Sequence, residues 1–131
     1  VHAFKALGSK KVAVVHPFLP DQNPRHEKTI SEFFGLEPTG VYSGGSALVS
    51  LGTLTPKCAL DWGRAAMAEN PDADTLYFGC PHWTVIDAIA PLEKEFGISV
   101  MTSLQAIAWE SMRQTGVDDR VDGFGRLLNE F

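Results

Sequence analysis

Residues Leu76–Trp83 (Leu-Tyr-Phe-Gly-Cys-Pro-His-Trp) decide how the rest of the chain is interpreted. The stretch begins as an apolar run typical of a buried strand, and a helical pattern opens just beyond it. Cys80 stands at this junction, where the free N–H groups and the dipole of a helix N-terminus favour a thiolate over a thiol. A thiolate attacks carbon or accepts a proton from it. The position also suits a small, buried, unreactive cysteine, so both interpretations stay open here.

Strand-like and helix-like segments alternate outward from this junction in both directions. Short runs rich in β-branched residues predict strands at residues 11–16, 37–42, 74–79 and 98–101. Apolar residues at helical spacing predict helices at residues 1–7, 25–34, 57–69, 84–96, 104–114 and 126–131, with a helical turn near 47–51. Right-handed βαβ crossovers give parallel pairing, so the pattern predicts an α/β fold, a four-stranded parallel sheet with helices on both faces. By length, residues 1–131 form a single domain.

Composition excludes several classes of function. The net charge is −5 and no basic run occurs, which argues against a nucleic-acid partner. No apolar stretch approaches the roughly 20 residues of a membrane helix, and residues 1–5 lack a signal-peptide pattern. The two cysteines, Cys58 and Cys80, form neither a disulfide framework nor a zinc site, and free thiols suit a reducing cytoplasm. We therefore expect a cytoplasmic protein with no metal and no cofactor.

The carboxyl ends of the predicted strands gather the polar residues of the chain. Ligands of such sheets bind outside these ends. The rule brings together four segments: His16-Pro17-Phe18, Tyr42-Ser43-Gly44, Gly79-Cys80-Pro81-His82 and Thr102-Ser103. They carry hydroxyls, backbone donors and one thiol, with few charged side chains. This combination suits a small carboxylate held by hydrogen bonds and helix N-termini.

The motifs around Cys80 resemble the C-terminal half of the aspartate/glutamate racemase superfamily, and most of all its maleate isomerase and arylmalonate decarboxylase branch. The resemblance rests on residues 79–89 and on residues 100–106 with Trp109 and Arg113. Supporting marks are residues 6–8, His16-Pro17-Phe18, Asn23 and residues 125–128.

The resemblance implies one half of a pseudo-symmetric, two-domain fold with its active site between the halves. Cys80 would be the catalytic cysteine of the second half. This chain would lack the first half, so an N-terminal half or a second subunit would complete the site, and we expect a homo-oligomer. The substrate-binding residues that the resemblance and the sheet edge together predict are Pro17, Phe18, Asn23, Pro81, His82, Thr102 and Ser103.

The chain departs from its relatives at three of these positions. Where they commonly place a carboxylate-binding tyrosine after the proline, Phe18 has no hydroxyl. Where they often carry small or hydroxyl residues after the cysteine, Pro81 removes a backbone N–H and His82 adds an imidazole.

Two reactions of a Cys80 thiolate fit these residues. The thiolate adds to an activated C=C bond and leaves after rotation, which is cis–trans isomerisation. Alternatively, the cysteine moves a proton at a carbon beside a carboxylate, as in racemisation or in reprotonation after decarboxylation. In both reactions, Thr102 and Ser103 are candidates to stabilise, by hydrogen bonds, the negative charge that develops on the substrate. His82 is a partner for the thiolate or a surface residue, and Cys58 is interpreted as structural. The rival hypotheses are a non-catalytic half-domain that serves as a binding or dimerisation module and, more weakly, a flavodoxin-like carrier.

Overall fold

Four parallel strands form one sheet in the order β2-β1-β3-β4. The computed structural model describes all 131 residues, and the strands are β1 (Lys11–His16), β2 (Glu37–Ser43), β3 (Thr75–Phe78) and β4 (Ser99–Thr102). The α/β class and the parallel sheet predicted from the sequence are confirmed.

Helices cover both faces of the sheet, as the alternating pattern predicts. Helices α3 (Pro56–Glu69) and α4 (Ile86–Phe96) pack together on one face. The other face carries α1 (His2–Leu7), α2 (Asn23–Lys28), α5 (Ser103–Gln114) and α6 (Arg126–Glu130). Turns of 3₁₀ helix occupy Pro20–Gln22 and Leu48–Thr53, the second close to the predicted turn. No helix of the chain combines the length and the apolar character needed to cross a membrane.

Strands β1, β3 and β4 bury most of their side chains on both faces, whereas the edge strand β2 is only partly buried. In β1, Ala13 and Val15 belong to the larger core cluster, whereas Val12 and Val14 belong to the smaller one on the opposite face. The same alternation puts Phe78 in the larger cluster and its neighbour Tyr77 against the smaller one.

Helix α2 differs from its prediction because it changes pitch. The α-helix ends at Lys28, and one turn of π-helix follows at Thr29–Phe33. The wider turn rotates the following side chains, so that Ile30 is fully buried while Phe33 is 74% exposed. In a regular α-helix residues three apart share a face, whereas here Ile30 and Phe33 do not.

The sheet order places a crevice at the carboxyl ends of β1 and β3. The connection after β1 leads to β2 at one edge of the sheet, and the connection after β2 returns to β3 on the other side of β1. The winding direction therefore reverses between β1 and β3. Such a reversal is where open α/β sheets bind their ligands. The segment after β1 is fixed because its three carbonyl groups, at residues 16–18, accept backbone hydrogen bonds from residues 44–46.

Candidate active site

Cys80 lies in the crevice two residues beyond the end of β3, and only 2% of it is exposed. Its sulfur accepts one hydrogen bond, from the backbone N–H of His82 at 3.5 Å. Pro81 contributes no N–H, and helix α4 begins only at Ile86 instead of at the predicted residue 84.

Of the two interpretations of Cys80, the structure of this chain favours the buried thiol. Burial raises the pKa of the Cys80 thiol, and the single N–H of His82 lowers it by less. Five residues without regular structure, 81–85, separate Cys80 from the start of α4, and the one backbone N–H that hydrogen-bonds to the sulfur is that of His82. Within this chain, burial therefore favours the neutral thiol of Cys80 over the thiolate.

Cys80 stands in the wall between two cavities. One, of about 640 Å³, lies towards β1 and α2 and is also lined by Phe18, His26, Tyr77 and His82. The other, of about 570 Å³, lies towards β4 and α5 and is lined by residues that include Thr102 and Leu104. Both cavities are open at the sheet edge, and Pro81 and His82 line both of them. The structure thus brings Cys80 together with Phe18, Pro81, His82 and Thr102.

A stack of two histidines forms part of the first cavity. The rings of His16 and His26 lie 4.2 Å apart between centroids and only 12° from parallel. The amide of Asn23 donates to the carbonyl of Val41 at 3.2 Å, so its Oδ1 accepts from Nε2 of His16 at 2.8 Å. The Nδ1 atom of His16 is then an unprotonated, buried acceptor without a partner. Burial is the main cause that lowers the pKa of His16.

His26 is the residue of this site that the sequence analysis missed. Burial, followed by the charges of the neighbouring His16 and Arg25, lowers its pKa to about 4. Its ring lies 3.1 Å from where a Cβ on Gly79 would stand, directly beside Cys80. The sequence did contain a signal for His26, because it follows Asn23 by three residues and residues i and i+3 share one face of a helix. A neutral imidazole in a cleft beside a thiol is typical of a functional site.

Besides Ser103, two predicted substrate-binding residues, Pro17 and Asn23, line neither cavity that contains Cys80. Pro17 is buried, and its carbonyl accepts from the backbone N–H of Ser46 at 2.7 Å. Asn23 supports His16 through the hydrogen bond described above. In this structure both residues shape the crevice from behind.

Thr102 and Ser103 separate at the point where β4 becomes α5. The Thr102 hydroxyl accepts from the backbone N–H of Gln105 at 3.0 Å and caps the helix, while its residue lines the second Cys80 cavity. Ser103 points to the opposite side of the sheet, into a third cavity that Tyr77 also lines. Its buried hydroxyl completes no hydrogen bond of normal geometry.

Cys58 has the more acidic thiol of the two. It lies in the first turn of α3, half-buried, with its sulfur 3.5 Å from the hydroxyl of Thr55. Hydrogen bonds from the side chain and backbone of Thr55 lower its pKa. Cys58 lines none of the three cavities described here. No group of three or more histidine, cysteine, aspartate or glutamate side chains is arranged to hold a metal ion.

Comparison with known proteins gives one consistent answer. The sequence profile of the arylmalonate decarboxylase family matches residues 1–128. Arylmalonate decarboxylase of Bordetella bronchiseptica is 30% identical over 137 residues, which cover 99% of this chain and 55% of that protein. The chain therefore spans about half the length of the curated relative it matches.

Solved structures agree with the sequence comparison. Unliganded arylmalonate decarboxylase superposes with a TM-score of 0.88 at 28% identity, over 99% of this chain and 57% of that one. The maleate isomerase Iso of Pseudomonas putida S16 superposes with a TM-score of 0.85 over 98% of this chain and 52% of that one. At 22% identity this second likeness concerns the fold alone. The chain belongs to the arylmalonate decarboxylase family and, with it, to the aspartate/glutamate racemase superfamily that its motifs resemble.

Proposed function

We propose that this chain supplies the Cys80-bearing half of the active site of a cofactor-independent enzyme that decarboxylates a small dicarboxylic acid. The observation that carries the proposal is the buried thiol of Cys80 in the wall of two open cavities at the switch point of the sheet. Family membership supports a decarboxylase, and residues 1–131 correspond in this proposal to the second domain of a two-domain protein.

The raised pKa of the buried Cys80 thiol favours decarboxylation over isomerisation or racemisation. Addition to a C=C bond and abstraction of a proton both need a thiolate, whereas reprotonation of a carbanion needs a thiol. Burial raises the pKa of Cys80, and no positive charge acts on it to reverse the effect. The neutral His26 in the same cavity adds none.

The proposed reaction balances with one external proton. The C–C bond to one carboxylate breaks, CO₂ leaves, and the electron pair passes to the remaining carboxylate as an enediolate. The S–H of Cys80 then donates its proton to the carbon, and the resulting thiolate takes a proton from solvent. Hydrogen-bond donors at the sheet edge, among them the Thr102 hydroxyl and backbone N–H groups, stabilise the enediolate.

A second wall must complete this site, because both Cys80 cavities are open. We propose an N-terminal half or a second copy of this chain as that wall, and a small carboxylate as the ligand enclosed between the two. Relatives about twice as long as this chain support the proposal. The two unpaired cysteines support a reducing compartment such as the cytoplasm.

The test replaces Cys80 by alanine in the complete protein and measures CO₂ release from phenylmalonate. We expect turnover to fall by at least about 10³-fold, since the proton donor is lost, while the circular dichroism spectrum stays that of the wild type. The matched control is Cys58→Ala, which removes the other thiol and should retain full turnover. Wild-type turnover by the Cys80→Ala protein would remove the mechanism and favour a non-catalytic binding module.

A further inference from the structure

His26 lies in the first cavity beside Cys80, and the decarboxylation mechanism leaves it unused. Both residues line this one cavity of about 640 Å³. The Cε1 and Nδ1 atoms of the His26 ring lie 3.1 Å from where a Cβ on Gly79 would stand. Since neighbouring Cα atoms are about 3.8 Å apart, this edge of the ring lies within about 9 Å of the Cα atom of Cys80. A small dicarboxylic acid in the cavity is therefore able to contact both residues.

Stacking holds the imidazole of His26 in one orientation. The ring lies almost parallel to that of His16, which is fully buried and is held in turn by its hydrogen bond to Asn23. The ring of Phe18 lies beside this pair, 6.4 Å from His26 between centroids and 19° from parallel. His26 is therefore oriented before any ligand arrives, which lowers the cost of ordering it on binding.

The ring nitrogens of His26 are open to a ligand. Neither of them hydrogen-bonds to another residue of the chain, and neither is one of the buried polar atoms that lack a partner, as Nδ1 of His16 is. A neutral imidazole has one N–H that donates and one nitrogen that accepts. Phe18, which lines the same cavity, has no polar side-chain atom. His26 therefore provides this side of the cavity with a hydrogen-bond donor that Phe18 lacks.

The surroundings of His26 keep its ring uncharged at neutral pH. Burial is the main cause that lowers its pKa to about 4, and the charges of His16 and Arg25 act in the same direction. A carboxylate bound to the ring would favour the protonated form and raise this pKa. Ligand binding thus has a signature that a purely structural histidine would not show. The other titratable groups that line the cavity are those of Asp21, Arg25, Tyr77, Cys80 and His82.

We propose that the imidazole N–H of His26 donates a hydrogen bond to the carboxylate that the ligand of Cys80 keeps when CO₂ leaves. A hydrogen bond to a charged acceptor is stronger than one between neutral groups. It strengthens further in the transition state, because this carboxylate takes up the electron pair of the broken C–C bond. The proposal rests on the decarboxylase function proposed above and makes His26 a substrate-binding residue.

An NMR titration of His26 in the complete protein tests this contact. The Cε1–H resonance that disappears in His26→Gln identifies the residue. Without a ligand, we expect the ring to stay mostly neutral as the pH falls from 7 to 5, because its pKa is about 4. Saturating phenylacetate, a stable monocarboxylate, should increase the protonated fraction at pH 5 at least about threefold. Phenylacetamide, which has no negative charge, should leave the titration unchanged.

Three results of this titration would overturn the proposal. They are the absence of a shift at saturating phenylacetate, an equal shift with phenylacetamide, and failure of phenylacetate to bind the complete protein.

Kinetics test the same contact during turnover. His26→Leu removes the donor and should lower kcat/KM for phenylmalonate by about 10-fold or more, the effect expected for loss of a hydrogen bond to a charged group. His26→Gln keeps an N–H donor and should retain more activity than His26→Leu. The matched control is His2→Leu, which removes an exposed imidazole outside the first cavity and should leave kcat/KM unchanged.

The two measurements together separate this proposal from the function on which it rests. Normal kinetics of His26→Leu in a protein that decarboxylates phenylmalonate would contradict the role of His26 alone. A wild-type protein in which phenylacetate raises the pKa of His26 but which releases no CO₂ would contradict the decarboxylase function and retain the carboxylate site.

Discussion

At the scale of single residues, the two thiols of this chain respond to burial and to hydrogen bonding in opposite directions. Cys80 is enclosed, and the cost of burying a negative charge raises its pKa. Cys58 is more exposed, and Thr55 stabilises its thiolate and lowers its pKa. The more reactive sulfur is therefore that of Cys58, which lies outside the Cys80 cavities. The sulfur with the proposed catalytic role, that of Cys80, is the less reactive of the two.

Alkylation by iodoacetamide measures this difference. Only the thiolate reacts, and its fraction rises with pH through the pKa. We expect the alkylation rate of Cys58 to rise at a pH below the ordinary thiol value of about 8.5, and that of Cys80 to rise above it. Mass spectrometry of the labelled peptides gives both curves, with Cys58→Ser and Cys80→Ser proteins as controls. Alkylation of Cys80 at the lower pH would contradict the role of burial described here.

The residue scale also shows where sequence patterns stop being informative. A strand followed by a helix predicts Cys80 at the edge of the sheet, and the structure places it there. Its protonation state depends on which backbone groups reach the sulfur, and Pro81 together with the late start of α4 at Ile86 removes those that the pattern predicts. The helical spacing from Asn23 indicates the face on which His26 lies, but its stacking on His16 is a tertiary contact that this spacing does not predict.

At the scale of elements, the order and type of every strand and of the main helices follow from the sequence, while their ends and pitch do not. Apolar periodicity indicates which face of an element is buried, and this indication stays the same when the ends of the element move by one or two residues. The π-helical turn at Thr29–Phe33 depends on packing and capping that the sequence does not display locally. The site is sensitive to such shifts because it is built from the ends of elements.

The contact between α3 and α4 offers a test of packing at this scale. A Cβ added to Gly63 of α3 would lie 2.7 Å from Cδ1 of Leu92, which is fully buried on α4. Although alanine favours a helix over glycine by about 1 kcal/mol, we expect Gly63→Ala to lower the free energy of unfolding by about 1–3 kcal/mol. Urea denaturation of the wild type and the variant measures this change in the free energy of unfolding.

The control for this substitution is Gly52→Ala, because a Cβ at Gly52 would meet no atom within 4 Å. It should change the free energy of unfolding by no more than about 0.5 kcal/mol. If Gly63→Ala is as stable as the wild type, the helices are able to separate at this point, and the close approach of α3 to α4 does not limit their packing.

At the scale of the whole molecule, apolar side chains flank Cys80 on both sides. Leu48, which lines the first cavity, is 71% exposed, and its neighbour Val49 is 96% exposed. Leu104, which lines the second Cys80 cavity, is 57% exposed. Exposed apolar groups around an open site are typical of a surface that another protein segment covers.

Sedimentation velocity tests whether a second copy provides that cover. We expect the chain to form dimers at micromolar concentration and Val49→Asp to weaken the dimer by at least about 10-fold, because a charge is costly in an apolar interface. The control is Val117→Asp, at an exposed residue that lines none of the described cavities, which should leave the dimer intact. A strictly monomeric chain would assign the second wall to an N-terminal half instead.

Backbone hydrogen bonds attach residues 44–46 to the carbonyls of residues 16–18 and fix this wall of the first cavity. The shape of the wall is therefore independent of the side chains that line it. Because main-chain atoms hold this wall, the side chains of Ser46 and Ala47, which line it, do not hold the wall in place. Those two positions are free to vary in size and polarity while the thiol and its surroundings stay in place. They are where libraries that seek altered substrate preference should begin.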